Sequence, residues 1–544
     1  MMNQGTIQKS WGRRKPDVSS VYNVENTAKR LPLILGESIK KSYFENFMYR
    51  GERESNLTIL DLKTRLGNIG ISLSDNDKRL AEVAKDRAEI AQKIHASLGN
   101  DATLHYVTGL SVDLPAGKTI ESQILRIKDS QWWGRRLRTL QIRSQETIAR
   151  EFGVVHKKAN VYVSDSAVAR IEARRARSWD ILKTMEAVNC DDENERLNMH
   201  DIAMKSIANP ENRRNELMVR ASGFDEYCRL KNHVCDFYTM TCPSKYHAYK
   251  HYGKPNNKYQ GFTPRQAQKY LTKIWSRIRS KLDRNELSIY GLRVVEPHHD
   301  GTPHWHLLIY SKKVDRQKIR SIIRSYTIKE DRGELANNVD ARYLVKGINF
   351  GLQENGIMHS GASYIMKYIS KNIMGLDSGD VKDFETGTDS KKTAGRVSVW
   401  ASVWGIRQFQ QLGGGSITIW RELRKVRDLK ADLVEKDLFE LWNAADSNKW
   451  RIFCTLLGGC EARRSDQTAG LYKEINKPDV RETQVRGTYD NPNYKVWDLS
   501  LNKYEEAREL ILGVESLNGI LLTREKQWRI EKMQGVENSP LGVL

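Results

Sequence analysis

Two histidines and a glutamate stand where they could hold a metal. His304 and His306 flank Trp305, and alternate residues of a β-strand share a face, so both imidazoles project from one side while the indole packs on the other. Two neutral imidazoles on one face are half a site for a divalent cation. Glu296 ends the preceding β-prone run, and a hairpin through residues 297–303 would bring its carboxylate opposite His304. Two histidines and a carboxylate suit Mg2+, Mn2+ or Zn2+ and leave coordination positions open for a substrate oxygen. His298 and His299, in the turn, could substitute as ligands, although turn histidines are ordinarily surface residues. With 12 histidines in 544 residues, one His-x-His pair is weak on its own; the hairpin setting is what strengthens it.

The second group is Tyr364-Ile-Met-Lys-Tyr368-Ile-Ser-Lys371. On a helix, residues four apart stack on one face, so Tyr364 and Tyr368 lie together and Lys371 follows one turn later. Such a pair is most often packing. A phenol, with a pKa near 10, is a poor nucleophile unless charge near it is stabilised. A cation that polarises a phosphate eases that demand, and a lysine can steady the developing charge. Attack by such a tyrosine on DNA leaves a phosphotyrosine that conserves the phosphodiester's energy, and two tyrosines allow two attacks in succession.

These residues need elements to position them. Cys235 to Thr241 is β-prone and stops at Cys242-Pro243-Ser244. Thr263-Pro264 opens a helix whose apolar stripe is Ala267, Leu271, Ile274, Trp275, Ile278 and Leu282. Leu287 to Glu296 and His304 to Tyr310 form a hairpin, Val314 to Tyr326 a helix, Val339 to Phe350 a strand, and Ser363 to Met374 a helix closed by Gly375. The order β-α-β-β-α-β followed by a helix is that of the split βαβ, ferredoxin-like unit, with helices on one face of an antiparallel sheet. The fold class is therefore α+β, a central antiparallel sheet flanked by mainly helical N- and C-terminal regions.

The sequence divides into a basic, loosely ordered arm (1–55), a mainly helical basic domain (56–205), a domain that carries the histidine and tyrosine groups (206–427) and a mixed C-terminal region without nameable chemistry (428–544). Helical patterns cover Leu57–Leu98, Thr119–Arg150 and the stretch from Ser164 through Trp179. Trp132-Trp133 sits beside Arg135, Arg136 and Arg138, an aromatic-basic mixture that could dock a phosphate backbone or be a solvated face. Residues 375–392 are polar and turn-rich, and Asn491-Pro492-Asn493 marks a turn. From Arg396 to Arg427 aromatic and basic residues return, with Gly413-Gly414-Gly415 among them; a glycine run can bring amides to a phosphate but is more often a plain turn. Pro115 to Thr119 has the tail of a phosphate loop, but Val112 stands where its first glycine belongs.

Composition sets outer bounds. Eighty-nine Lys and Arg against 68 Asp and Glu leave a net charge of +21, which favours polyanionic partners, nucleic acid first. No run approaches the roughly 18 apolar residues of a membrane span, and Met1 to Lys15 has no apolar core of a secretory signal. Six cysteines without a Cys-x-x-Cys pair suit reduced thiols in the cytoplasm rather than a disulfide scaffold or a thiolate zinc site.

Phe237-Tyr-Thr-Met-Thr-Cys-Pro, then Glu296-Pro-His-His-Asp-Gly-Thr-Pro-His304-Trp-His306, then Tyr364-x-x-x-Tyr368 resembles the three motifs of the HUH endonuclease superfamily. More narrowly, the chain resembles the gene A replication initiators of temperate tailed phages, which start rolling-circle replication. The resemblance implies that His304 and His306 bind Mg2+ or Mn2+, with Glu296 as third ligand, and that Tyr364 and Tyr368 are the nucleophiles, aided by Lys371. It implies site-specific nicking of single-stranded or locally melted origin DNA, and reliance on a host helicase and replicative polymerase in the bacterial cytoplasm. Lys367, Arg396, Trp400, Trp404 and Arg407 are the candidate DNA contacts, through a basic groove and base stacking. A relaxase or transposase of the same superfamily would share the site. A non-catalytic origin-binding regulator would bury both tyrosines, and a hydrolytic nuclease would use metal-activated water.

Overall fold

The computed structural model describes residues 15–110, 112–352, 358–373, 390–475, 502–507 and 509–533. They fall into two compact units.

The first, residues 15–159 with 502–507, is helical. The stretch expected as a loose arm holds helices Val18–Ala28 and Leu33–Arg50. Val24, Leu35, Ile39 and Tyr43 bury one face of them against Ile59, Leu62 and Leu66 of helix Glu52–Ile69. Turn residues and charges on the outer faces disguise that periodicity. Trp132 and Trp133 are buried, and the Trp133 indole donates to the Ile127 carbonyl at 2.7 Å, so these rings are core and not a docking face. The phosphate-loop-like tail ends in a helix cap, Thr119 Oγ1 accepting from the Ser122 amide at 3.1 Å.

The second unit, residues 160–475 with 509–533, carries the sheet. Its elements are α1 (Pro210–Leu230), β1 (Val234–Thr241), α2 (Pro264–Arg284), β2 (Tyr290–Pro297), β3 (Pro303–Ser311), α3 (Arg316–Thr327), β4 (Tyr343–Ile348), α4 (Gly361–Ile373), α5 (Ser390–Trp404) and β5 (Phe409–Leu412). The strand order is β4-β1-β3-β2-β5, every neighbouring pair antiparallel. The first four strands have the order that β-α-β-β-α-β connectivity predicts, because each helix crossover skips one strand. The fifth strand and α5 are additions that the sequence reading left unassigned.

Local chemistry explains the starts and stops. Thr263 and Gln266 form a reciprocal capping box with Pro264 at the first helical position of α2, and the six expected stripe residues are all buried. Ser360 and Ser363 cap α4 in the same reciprocal way, side-chain oxygens accepting each other's amide at 3.0 and 3.1 Å. The expected strand 339–350 shortens to β4 because Asn338 accepts from the Ala341 amide and folds Val339–Ala341 into a 3-10 turn. Gly375, most of the expected loop 375–392 and Asn491-Pro492-Asn493 lie outside the described residues, and 390–392 already belong to α5.

β2 and β3 are buried along their whole length, so both faces of the sheet are covered. Trp305 points to the α2 side, its ring 6.4 Å from that of Trp275 and its indole donating to Gln268 at 2.9 Å. The opposite face carries Phe237, Leu292, Leu308 and Tyr310, which pack against Ala221 and Phe224 of α1 and Ile365 and Ile369 of α4. The same apolar core continues through helices Lys436–Asp446 and Trp450–Leu456 to Val514 and Leu521, so the boundary expected after residue 427 runs through one core. All six cysteines are free, and no helix among the described residues is long and apolar enough to cross a membrane.

Candidate metal and tyrosine centre

The hairpin register decides the centre. Glu296 pairs with His304, and His304 and Thr241, like His306 and Thr239, are directly opposite across β3 and β1. Direct partners share a face, so Glu296, His304, His306 and Thr239 all lie on the α4 side. The Nε2 atoms of His304 and His306 are 2.9 Å apart, and His306 Nε2 is 3.8 Å from Glu296 Oε2. One ligand atom from each residue falls within 4.8 Å of the others, and all three side chains are buried. Thr239 Oγ1 is 3.1 Å from His306 Nδ1, an arrangement that leaves Nε2 to face the cluster. The donor set and its convergence fit a single divalent cation.

The turn is held firmly. His298 N–H donates to Thr302 O at 2.7 Å, and Gly301 turns the chain at φ +80°. Buried Asp300 accepts from the Thr302 amide at 3.0 Å and the Ala248 amide at 2.8 Å. Burial pushes the His298 pKa down, and its ring lies 4.1 Å from that of His304; His299 Nε2 pairs with the Lys250 carbonyl at 2.9 Å. Neither joins the three converging donors.

α4 lays its tyrosines on this cluster. The Tyr368 ring is 4.2 Å from the His306 ring, and the Tyr364 ring is 6.3 Å from Tyr368. Phe237 sits between them, 4.5 Å from Tyr364 and 5.2 Å from Tyr368. Both tyrosines are half-buried. The ammonium groups of Lys346 and exposed Lys367 lie 5.4 and 5.9 Å from the Tyr364 ring centroid, bringing positive charge to that phenol's surroundings. The side chain of Lys371 lies outside the described residues.

The other expected DNA contacts are placed differently. Trp400 and Trp404 are 0% and 2% exposed, so neither offers a ring face to a base. Trp400 instead donates its indole N–H to the Gly301 carbonyl at 2.8 Å and buttresses the turn between the ligand strands. Arg396 donates to the Val161 carbonyl at 2.9 Å and pairs with Asp165 at 2.5 Å, bracing a segment whose Tyr162 amide reaches the His299 carbonyl at 3.2 Å. Arg407 is exposed.

Asp225 is a residue that sequence reasoning missed. Buried on α1, it accepts from the Ala362 amide at 2.7 Å and from the Tyr310 hydroxyl at 2.6 Å, while burial pushes its carboxyl above the usual range. It thereby fixes the start of α4 over the sheet. The signal was a carboxylate beside the apolar stripe Leu217, Ala221, Phe224 and Cys228. Gly361 fits the same contact: a Cβ there would stand 2.4 Å from the Tyr310 hydroxyl and 2.8 Å from Asp225 Oδ1. Gly361→Ala is expected to destabilise the protein by about 1–3 kcal/mol, as overpacking does. It should also displace both tyrosines. Urea unfolding reads the first effect and near-ultraviolet circular dichroism of the tyrosines the second; an unchanged midpoint would count against the close fit.

Fold and site together define an α+β protein with a candidate metal centre faced by paired tyrosines. The family model of the bacteriophage replication gene A protein (GPA) matches residues 74–376, and the chain belongs to that family. It is 38% identical over 378 residues to the replication gene A protein of Escherichia phage 186, covering 68% of this chain and 53% of that one. It is 35% identical over 431 residues to the replication gene A protein of Escherichia phage P2, covering 75% and 52%. A probable replication endonuclease from a prophage-like region of Salmonella typhimurium is 37% identical over 305 residues, 56% of this chain and 37% of the relative. The chain spans about half the length of the phage 186 and P2 relatives it matches. No solved structure matches it.

Proposed function

We propose that the chain is a site-specific single-strand DNA endonuclease that nicks a phage replication origin by tyrosine transesterification. The observation that carries this reading is the convergence of Glu296, His304 and His306 within 4.8 Å, with the Tyr368 ring 4.2 Å from His306 and Tyr364 one helical turn behind. A Mg2+ or Mn2+ ion held by the three donors would neutralise the scissile phosphate and polarise its P–O bonds. A tyrosine Oη attacks phosphorus; the Oη–P bond forms, the P–O3′ bond breaks, and the phenolic proton leaves as the 3′ oxygen gains one. The products are a 5′-phosphotyrosine and a 3′-hydroxyl primer. Because bond types are exchanged without hydrolysis, a later 3′-hydroxyl can reverse the step and rejoin DNA while the second tyrosine makes the next cut. Both phenols are half-buried rather than enclosed, which favours this role over a regulator that only grips DNA. The positive charges of Lys346 and Lys367 near Tyr364 support its use as a nucleophile. Rolling-circle replication would then proceed with a host helicase and polymerase in the host cytoplasm.

The test incubates the full chain with single-stranded DNA carrying the phage origin and Mg2+ or Mn2+, then denatures in SDS. A covalent protein–DNA band is expected. Cleavage with no such band would replace the proposal with hydrolysis by metal-activated water.

A further inference from the structure

A polar concavity lies along the free edge of β5. It is a groove of about 870 Å³, lined by the stretch from Ile406 to Thr418 together with parts of α1 and the segment after Leu457. Six arginines line it: Arg213, Arg220, Arg407, Arg421, Arg463 and Arg464. The single carboxylate among the lining residues is Glu461. That carboxylate is engaged elsewhere, accepting from the Tyr227 hydroxyl at 2.8 Å and lying 3.3 Å from His233.

Several of these guanidiniums are built into the wall. Arg220 is 5% exposed; it donates to Gln411 Oε1 at 3.2 Å and lies 3.3 Å from Glu216. Arg421 grips the same Glu216 at 2.7 and 2.9 Å, so one anion serves two cations. Arg464 donates to the Ser416 hydroxyl, a neutral partner, at 2.7 Å. The buried Arg213 Nε makes no hydrogen bond. Burial pushes the Arg220 pKa down to about 10, which still leaves it charged at neutral pH. Holding like charges together in a partly desolvated wall costs stability unless an anion balances them.

The glycine run adds no free amides to the groove's positive character. The Gly414 amide donates to the Cys460 carbonyl at 2.8 Å and the Gly415 amide to Cys454 Sγ at 3.3 Å. Gly413 and Gly414, at φ +57° and +72°, let the loop pass against Ile289 O and Phe224, where a Cβ would stand 2.7 and 2.8 Å away. The groove's charge therefore comes from side chains. Its position supplies the identity of the ligand. At one end, the Gln408 carbonyl accepts from the Val295 amide at 2.8 Å, one residue from Glu296. From there the groove follows β5 toward Gly413, and Gln410 lines it with an amide that can meet base edges.

We infer that this groove holds the phosphodiester backbone of single-stranded DNA running to or from the metal and tyrosine centre. The polymer's identity rests on the nickase reading; the anionic character of the ligand does not.

Metal-free fluorescence anisotropy with a labelled 30-nucleotide single strand tests it, comparing the full chain with Arg213→Glu/Arg407→Glu and the milder Arg213→Gln/Arg407→Gln. Affinity is expected to fall about tenfold or more, and the slope of log K against log salt to shrink by about 1.4 for two lost phosphate contacts. The glutamine pair guards against misfolding, and Arg→Lys at both positions should restore most of the binding. Unchanged affinity and slope in properly folded variants would overturn the inference. So would displacement of a poly-glutamate peptide or a deoxynucleoside triphosphate with oligonucleotide binding untouched. Adduct formation by the unaltered chain is followed in parallel. A groove effect without any adduct would sink the nickase reading alone, and an adduct without a groove effect would sink the groove alone.

Discussion

With both Tyr364 and Tyr368 replaced by phenylalanine, the protein is expected to leave no SDS-resistant adduct on origin DNA. Cleavage should fall by about 10³ or more, as when nucleophiles acting as a unit are removed. The substitution deletes two hydroxyls and no ring, so the contacts of both side chains with Phe237, and of residue 368 with His306, persist and the fold should be intact. The two single changes should differ. Tyr368 packs against His306, whereas Tyr364 lies one turn away beside Lys346 and Lys367, so Tyr368→Phe should take the larger share of the first cut. Tyr364→Phe should weaken the second transfer, read as fewer rejoined circles. Gel quantification of both steps checks this, and an undiminished adduct in the double variant would remove the tyrosines from the chemistry.

The second large effect concerns the cation. His304→Gln with His306→Gln should abolish cleavage, a loss of at least 10² to 10³, and also abolish thermal stabilisation of the protein by Mn2+. In the unaltered chain, saturation to about 100 times Kd should add about 2.7 kcal/mol to stability. That shift is measured without DNA, so it separates a lost metal from a lost substrate. Glu296→Gln is the companion variant: it keeps the buried volume and removes one anionic donor, so the Mn2+ shift should shrink while the metal-free melting temperature stays near its original value. A full shift in the doubly altered chain would place the metal elsewhere.

The hairpin was legible because strand parity is arithmetic. Once residues 297–303 are a turn, Glu296, His304 and His306 must share a face, and β2–β3 pairing has them do so. α2 was equally plain, since Thr263-Pro264 is a start signal and six apolar residues follow at helical spacing. β5 was not, because Phe-Gln-Gln-Leu contains no β-branched residue and becomes a strand only by pairing with the edge of β2. The tryptophans of α5 misled for another reason: rings among arginines suit a stacking surface as well as a core. The spacing Ala394, Val397, Trp400, Ala401, Trp404 was the available signal, and those five residues are buried, together with Thr393, Val399 and Val403. Thr239 and Asp225 act through partners distant in sequence, so the carboxylate beside the stripe of α1 marks Asp225 as unusual without naming its partners, and no local pattern announces Thr239.

The core that runs past residue 427 bears on how the molecule could be dissected. Gly223 of α1 is so close to Trp450 that a Cβ would stand 2.6 Å from its side chain, and Phe224 meets the Trp450 ring at 6.0 Å. α1 is also the helix whose Asp225 fixes the tyrosine-bearing α4. A recombinant fragment trimmed to the motif-bearing segment would therefore strip the backing from the very helix that sets the nucleophiles in place. Genetic truncation from the C-terminal side should read out as inactivity well before it reaches α4 or the hairpin that carries Glu296, His304 and His306.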